Sequence, residues 1–87
     1  MYYVYVLYST DAGEYYIGYS ADLRRRIAEH SRKEVRSTKS SDYQLIYYEA
    51  YINKADAVGR EKFLKGGSGH RYLKKQLTHF LSEYLQG

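Results

Sequence analysis

Cysteine is absent from the 87 residues, which excludes disulfides and thiolate metal sites. Tryptophan is absent too and phenylalanine occurs twice, so the 17% aromatic content is almost wholly the work of 13 tyrosines. Lysine and arginine are missing from residues 1–23, which makes the charge of the chain uneven. No apolar run approaches the ~20 residues a membrane-spanning helix needs. The opening "MYYVYVLYS" carries neither a basic leader nor a small-residue cleavage site. These absences predict a soluble, cytoplasmic protein with no membrane partner, and the length predicts a single domain over residues 1–87.

What is present points to a folded globule with a compact core, since 44% of the residues are hydrophobic. Tyrosine brings a large apolar ring and a hydroxyl that needs a partner when buried, so a tyrosine-built core is polar at its edges. The formal charge is +4. Seven cations fall in residues 24–39 (Arg24, Arg25, Arg26, Arg32, Lys33, Arg36, Lys39) and six in 60–75 (Arg60, Lys62, Lys65, Arg71, Lys74, Lys75). Two such clusters on an otherwise acidic chain suggest a surface for a polyanion, nucleic acid first. Two solvated helical faces would give the same composition.

The stretch "YYVYVLYS" (2–9) is aromatic and β-branched, the composition of a strand, and both of its faces are apolar enough to be covered. "TDAGE" reads as a hairpin turn and "YYIGYS" (15–20) as the return strand. Gly18 within that strand marks a close approach to the backbone. Ser20 is the expected cap of a helix from Ala21 to Ser31, with Leu23 and Ile27 as its buried stripe and Arg26 and His30 on the stripe's border. "RKEVRSTKSSD" (32–42) is polar and unpatterned and reads as a loop with freedom to move. A third strand is expected over 43–51, and a helix capped by Asn53 over 54–65. After "GGSG", Ser68 is the expected cap of a last helix through Leu73, Leu77, Phe80, Leu81 and Tyr84. The order is β-β-α-β-α-α, a small α/β (α+β) sandwich of three strands flanked by helices.

One carboxylate sits where helical geometry does not welcome it. On the 54–65 helix, Ala57, Val58 and Leu64 form the expected core stripe and Glu61 falls in its middle. A buried, ionised glutamate needs a partner. That partner is either an internal cation, such as an arginine of the first helix, or a divalent metal facing a cleft. His30 at a helix C-terminus suits the helix dipole as well as a site. Tyr5 and Tyr16 read equally as core aromatics. His70 and Arg71 follow a glycine-rich turn that could hold a phosphate.

Five short motifs, in order, resemble the GIY-YIG nuclease superfamily, closest to its small stand-alone bacterial members. "YVY" (Tyr3-Val4-Tyr5) stands where that family has G-I-Y, and "YIG" (Tyr16-Ile17-Gly18) matches the second signature. Arg26 lies eight residues after Gly18, His30 one turn further on, and Glu61 lies in "GREKFLKGGSG". Tyr3 replaces the glycine of the first signature, and no asparagine follows Asn53 to match the one some members carry near the C-terminus. The resemblance implies a three-stranded antiparallel sheet and a metal-dependent endonuclease that hydrolyses DNA. In that reading Tyr5, Tyr16, Arg26, His30 and Glu61 are catalytic, and Glu61 holds Mg²⁺ or Mn²⁺ with waters and phosphate oxygens. Tyr16 or Tyr5 activates or orients a water, Arg26 forks onto the phosphate, and His30 positions or protonates.

The basic residues Arg24, Arg25, Arg32, Lys33, Arg36, Lys39, Lys62, Lys65 and Arg71 would then follow the nucleic-acid backbone, while exposed tyrosines stack unpaired bases. DNA is the expected partner, with RNA left open. The chain offers no second element to read a long site, which points to structure-selective cutting, in repair or recombination, or to a partner protein that supplies specificity. A non-catalytic nucleic-acid-binding module on the same fold is the alternative, and a purely protein-interacting domain a third.

Overall fold

The computed structural model describes residues 1–85. Strands β1 (Tyr2–Ser9), β2 (Glu14–Ser20) and β3 (Gln44–Tyr51) form one antiparallel sheet in the order β2-β1-β3, with β1 central. Helix α1 (Leu23–Ser31) follows β2, and α2 (Lys54–Lys65), α3 (Gly67–Gln76) and α4 (Thr78–Leu85) follow β3. The expected α+β class, antiparallel sheet and element order are therefore present. Register sets Tyr5 opposite Gly18 on one side and Tyr48 on the other.

The sheet is covered on both faces, as the apolar character of β1 predicts. Val4 and Val6 point to one face and join Ile17, Ala57 and Leu64 of α2 and Leu73 of α3 in the core. Alternation sends Tyr3, Tyr5 and Leu7 to the other face, where Tyr5 meets α1. Against β3 the register slips by one residue between Val6 and Leu7, leaving Ile46 as the extra residue of a bulge. Ile46 and Tyr47 both pack on the core as a result. Leu45 and Tyr48 share the opposite face and line one cavity there.

Several local expectations are corrected. Helix α1 begins at Leu23 and its cap is Asp22, whose carboxylate accepts from Arg25 N at 3.1 Å. Ser20 instead closes a turn with Asp22, accepting from its N–H and donating to its carbonyl. Asn53 caps α2 as expected. The last expected helix is two. The Thr78 hydroxyl donates to the carbonyls of Lys74 and Lys75, ending α3 and freeing the chain to turn into α4. Ser68 lies inside α3, which Gly66 caps without a side-chain bond. Helix α3 rests closely on α2, because a Cβ on Gly69 would overlap the backbone of Phe63 and Leu64. Within α2, Ala57 and Leu64 are buried but Val58 is 37% exposed. The core stripe is narrower than the wheel suggests.

The 32–42 segment is pinned. Val35 and Thr38 are buried in it, and a chain of turns carries it from α1 to β3.

Candidate active site

The hairpin register brings the two tyrosine signatures together. Tyr5 of β1 and Tyr16 of β2 lie on one face with ring centroids 6.2 Å apart. The Tyr5 ring leans over Gly18, and any Cβ at that position would collide with its Cζ and hydroxyl. Gly18 is thus the close approach that its place in a strand foretells. Helix α1 closes the site from above. His30 is only 6% exposed, although it was placed at the border of the helix's buried stripe. It packs edge-on against Tyr5 and Tyr16, with centroids at 5.6 and 4.9 Å.

Both His30 nitrogens are engaged. Nε2 shares a 2.9 Å hydrogen bond with the Tyr5 hydroxyl and Nδ1 a 2.8 Å bond with Thr38 Oγ1. Burial, with the Arg26 charge nearby, pushes the His30 pKa down, so its neutral form donates at one nitrogen and accepts at the other. Thr38 is a site residue that reading the sequence missed. Its only advance signal was Val35, the one apolar residue of a polar segment.

Arg26 is half-buried beside this triad. Its guanidinium donates to Glu29 Oε1 at 2.9 Å on its own helix. The Glu29 bond, and next the Tyr5 hydroxyl, hold its proton still more firmly than usual. Burial pushes the Tyr5 hydroxyl up to about 12; Arg26 opposes this, while Tyr16 and the Glu61 carboxylate add to it. Glu61 stands on α2, the helix that packs on the Val4 and Val6 face of the sheet. It is 22% exposed, and its partner is Lys65 Nζ at 3.1 Å, one turn along α2, rather than an arginine of α1.

The opposite face carries a second cluster that was not anticipated. Arg60 donates twice to Glu49 of β3, at 2.8 and 3.0 Å, and the Tyr47 and Tyr51 hydroxyls donate to the same carboxylate at 2.5 and 2.6 Å. The guanidinium lies 4.4 Å from the Tyr72 ring centroid and 5.1 Å from that of Phe63. Burial alone would raise Glu49; Arg60, Tyr47 and Tyr51 outweigh it and hold the carboxyl below its usual range. This clamp ties α2 to β3 through the residue next to Glu61.

The cations expected to follow a backbone are exposed, with differing company. Arg24, Arg36, Lys39 and Lys62 are open to solvent. Arg25 lies 3.8 Å from Glu29, Arg32 is bidentate on Glu34, Lys33 pairs with Asp42, and Lys65 with Glu61. Arg71 donates to Ser68 Oγ in the first turn of α3, beside exposed His70. No helix among the described residues is long and apolar enough to cross a membrane.

The family model described as the GIY-YIG catalytic domain matches residues 1–75, which span every group just placed. The chain belongs to the GIY-YIG family. Its curated relatives include a UPF0213 protein of Streptococcus pneumoniae serotype 4, 41% identical over 83 residues, covering 93% of this chain and 78% of the relative. A UPF0213 protein of Pediococcus acidilactici is 38% identical over 77 residues, covering 84% and 78%. One of Halobacterium salinarum is 36% identical over 67 residues, covering 75% and 86%. No solved structure matches the chain significantly. As a GIY-YIG domain the molecule is of nuclease type, with nucleic acid as its substrate and divalent metal as the family's general requirement.

The donor set here fits that requirement. Among the described residues no three His, Asp or Glu side chains converge, so protein side chains alone would not enclose a cation here. That suits a hard ion that keeps most of its waters and takes phosphate oxygens. Glu61 is open enough to exchange Lys65 for such an ion.

Proposed function

We propose that this GIY-YIG domain is a metal-dependent endonuclease that hydrolyses DNA phosphodiester bonds, selecting its substrate by structure, in DNA repair or recombination. The reading is carried by one observation: Tyr5, Tyr16 and His30 meet at one end of a shared sheet face, with Arg26 one turn before His30 on α1.

The two tyrosines divide the work. Tyr5 is buried, bonded to His30 and kept protonated, so it positions the imidazole. Tyr16 is half-buried and packs on the same imidazole, which leaves it to orient the attacking water. As the water oxygen bonds to phosphorus, the ester P–O bond opposite it breaks; the water's proton leaves toward this tyrosine and histidine pair, and the leaving alkoxide takes a proton from solvent. Arg26 swings from Glu29 to fork onto the non-bridging oxygens, whose charge grows in the transition state. Glu61 would hold Mg²⁺ or Mn²⁺, and such an ion supplies Lewis-acid stabilisation of the phosphate and the leaving oxygen.

The deciding experiment is cleavage of end-labelled single-strand, duplex, flap and splayed-arm DNAs by wild type and Glu61→Ala, each with Mn²⁺ and with EDTA. Cutting lost in both the variant and EDTA supports the enzyme. The Glu61–Lys65 ion pair favours the other reading, a binding module whose carboxylate is neutralised at rest. Salt-sensitive binding without any cutting would establish it.

A further inference from the structure

On the other flank of α1 the same sheet face opens into a cavity of ≈ 560 Å³, within the size range of small-ligand sites. Tyr3, Leu45 and Tyr48 of the sheet and Leu23, Arg24 and Ile27 of α1 line it. The bulge at Ile46 is what brings Leu45 and Tyr48 to one side. Tyr48 is 54% exposed. Its ring meets Tyr3 edge-on at 6.2 Å and 61°, so the two rings do not cover each other's faces. A concavity half apolar and half polar in its lining, with an exposed aromatic ring in it, calls for an occupant.

We propose that this groove binds an unpaired nucleobase of the nucleic-acid strand whose phosphate lies at the Tyr5–Tyr16–Arg26 cluster. The chemistry of the lining selects that occupant. A nucleotide needs an aromatic or apolar face for its base and a cation for its phosphate, and the groove sets Tyr3 and Tyr48 beside Arg24. Exposed Arg25 follows on the same turn; the Asp22 carboxylate also lines the groove, with one oxygen engaged in capping α1. A protein partner would meet a centre depleted of charge, which Arg24 denies. A paired base cannot enter, because its faces are held in the stack. The groove also continues the catalytic face. From β2 to β3 is two strand spacings, about 10 Å, which a few nucleotides span at roughly 3.4 Å each when stacked. The position of the groove relative to the cut rests on the nuclease reading; base binding itself does not.

The test is an NMR titration of the protein with a short oligothymidine and with a blunt duplex of equal length, alongside the cleavage panel. Expected are shifts of the Leu23, Ile27 and Leu45 methyls and the Tyr3 and Tyr48 rings with the single strand only. Tyr48→Leu should weaken oligothymidine binding about fivefold or more, and Tyr48→Phe should restore it. Because Tyr48 is an exposed residue of an edge strand, both variants keep the fold, which their amide spectra verify. Shifts confined to the Arg24 and Arg25 backbone would overturn the proposal, as would equal shifts with duplex or wild-type affinity in Tyr48→Leu. Shifts that grow with protein concentration before DNA is added would assign the groove to a second copy. Groove shifts without cleavage would sink the nuclease reading alone; cleavage without groove shifts would sink the base site alone.

Discussion

The two faces of this sheet hold clusters of the same three residue types and put them to opposite uses. On one face Arg60, Tyr47 and Tyr51 all donate to a single carboxylate, Glu49, and every charge there is answered. On the other, Arg26 leans on Glu29 of its own helix and Tyr5 shares a neutral histidine, while Glu61, on α2, is matched by a flexible lysine. The first arrangement is closed and rigid. The second is made of partners that can be exchanged, and that is what a site for a phosphate and a cation requires. The difference lies in whether the acid and the arginine belong to different elements.

Exchanging arginines should break the comparison most visibly. Arg60→Ala leaves Glu49 largely buried with no counter-charge, which should cost about 3 kcal/mol and lower the melting temperature by more than about 10 °C. Arg26→Ala removes a partly exposed pair within one helix, so its melting curve should stay close to wild type, while cleavage falls about 10²–10³-fold. If the Arg26→Ala melt falls as far as that of Arg60→Ala, the two faces are not separate devices.

Tyrosine hydroxyls sharpen the contrast. Tyr51→Phe deletes a bond to a carboxylate and should cost about 2 kcal/mol in chemical denaturation, with cleavage unchanged. Tyr5→Phe deletes a bond to a neutral ring and should cost about 1 kcal/mol, with most of its effect on rate.

Acid should loosen the faces one after the other. The His30 pKa is lowered, so the stability it contributes is complete above roughly 6.5 and is lost as pH falls through its folded value. The Glu49 pKa is lowered as well, so its contribution is complete above roughly 4.3 and is lost below that. Denaturation followed against pH should therefore show two steps. His30→Gln should erase the earlier step and Glu49→Gln the later. On the alkaline side, Tyr5 and Tyr51 are both raised to about 12, so stability present below roughly 10 should be lost on both faces as pH rises toward 12.

An effect of the same small size as that of Tyr5→Phe is expected at Thr38. Thr38→Val keeps the shape and leaves one His30 nitrogen without a partner, at a cost of about 1 kcal/mol or somewhat more. The rate's acid limb should shift with it.

Much of the candidate site was legible in the sequence because it is built from local periodicity. Alternation puts Tyr5 and Tyr16 on a common face once the hairpin is placed, and helical spacing puts Arg26 and His30 together. Glu61 was found as an acid out of pattern, yet its Lys65 partner was not, since an i,i+4 pair on one helix competes quietly with any distant arginine. The Glu49–Arg60 clamp escaped because it joins residues eleven apart across two elements, and no period connects them. The bulge at Ile46 escaped for a related reason: it is a mismatch between strands, invisible in either one. Ser20 and Asp22 are both good caps two residues apart, and only the turn between them settles which one serves.

The overlap of Tyr5 with the space a side chain on Gly18 would fill has an evolutionary consequence. Neither signature can be read as an independent letter string. A larger residue at 18 is tolerable only after the ring at 5 has shrunk or moved, and a chain that loses that ring no longer has this reason to keep the glycine. The pair is epistatic, so transplanting one signature between relatives without the other should fail where moving both succeeds.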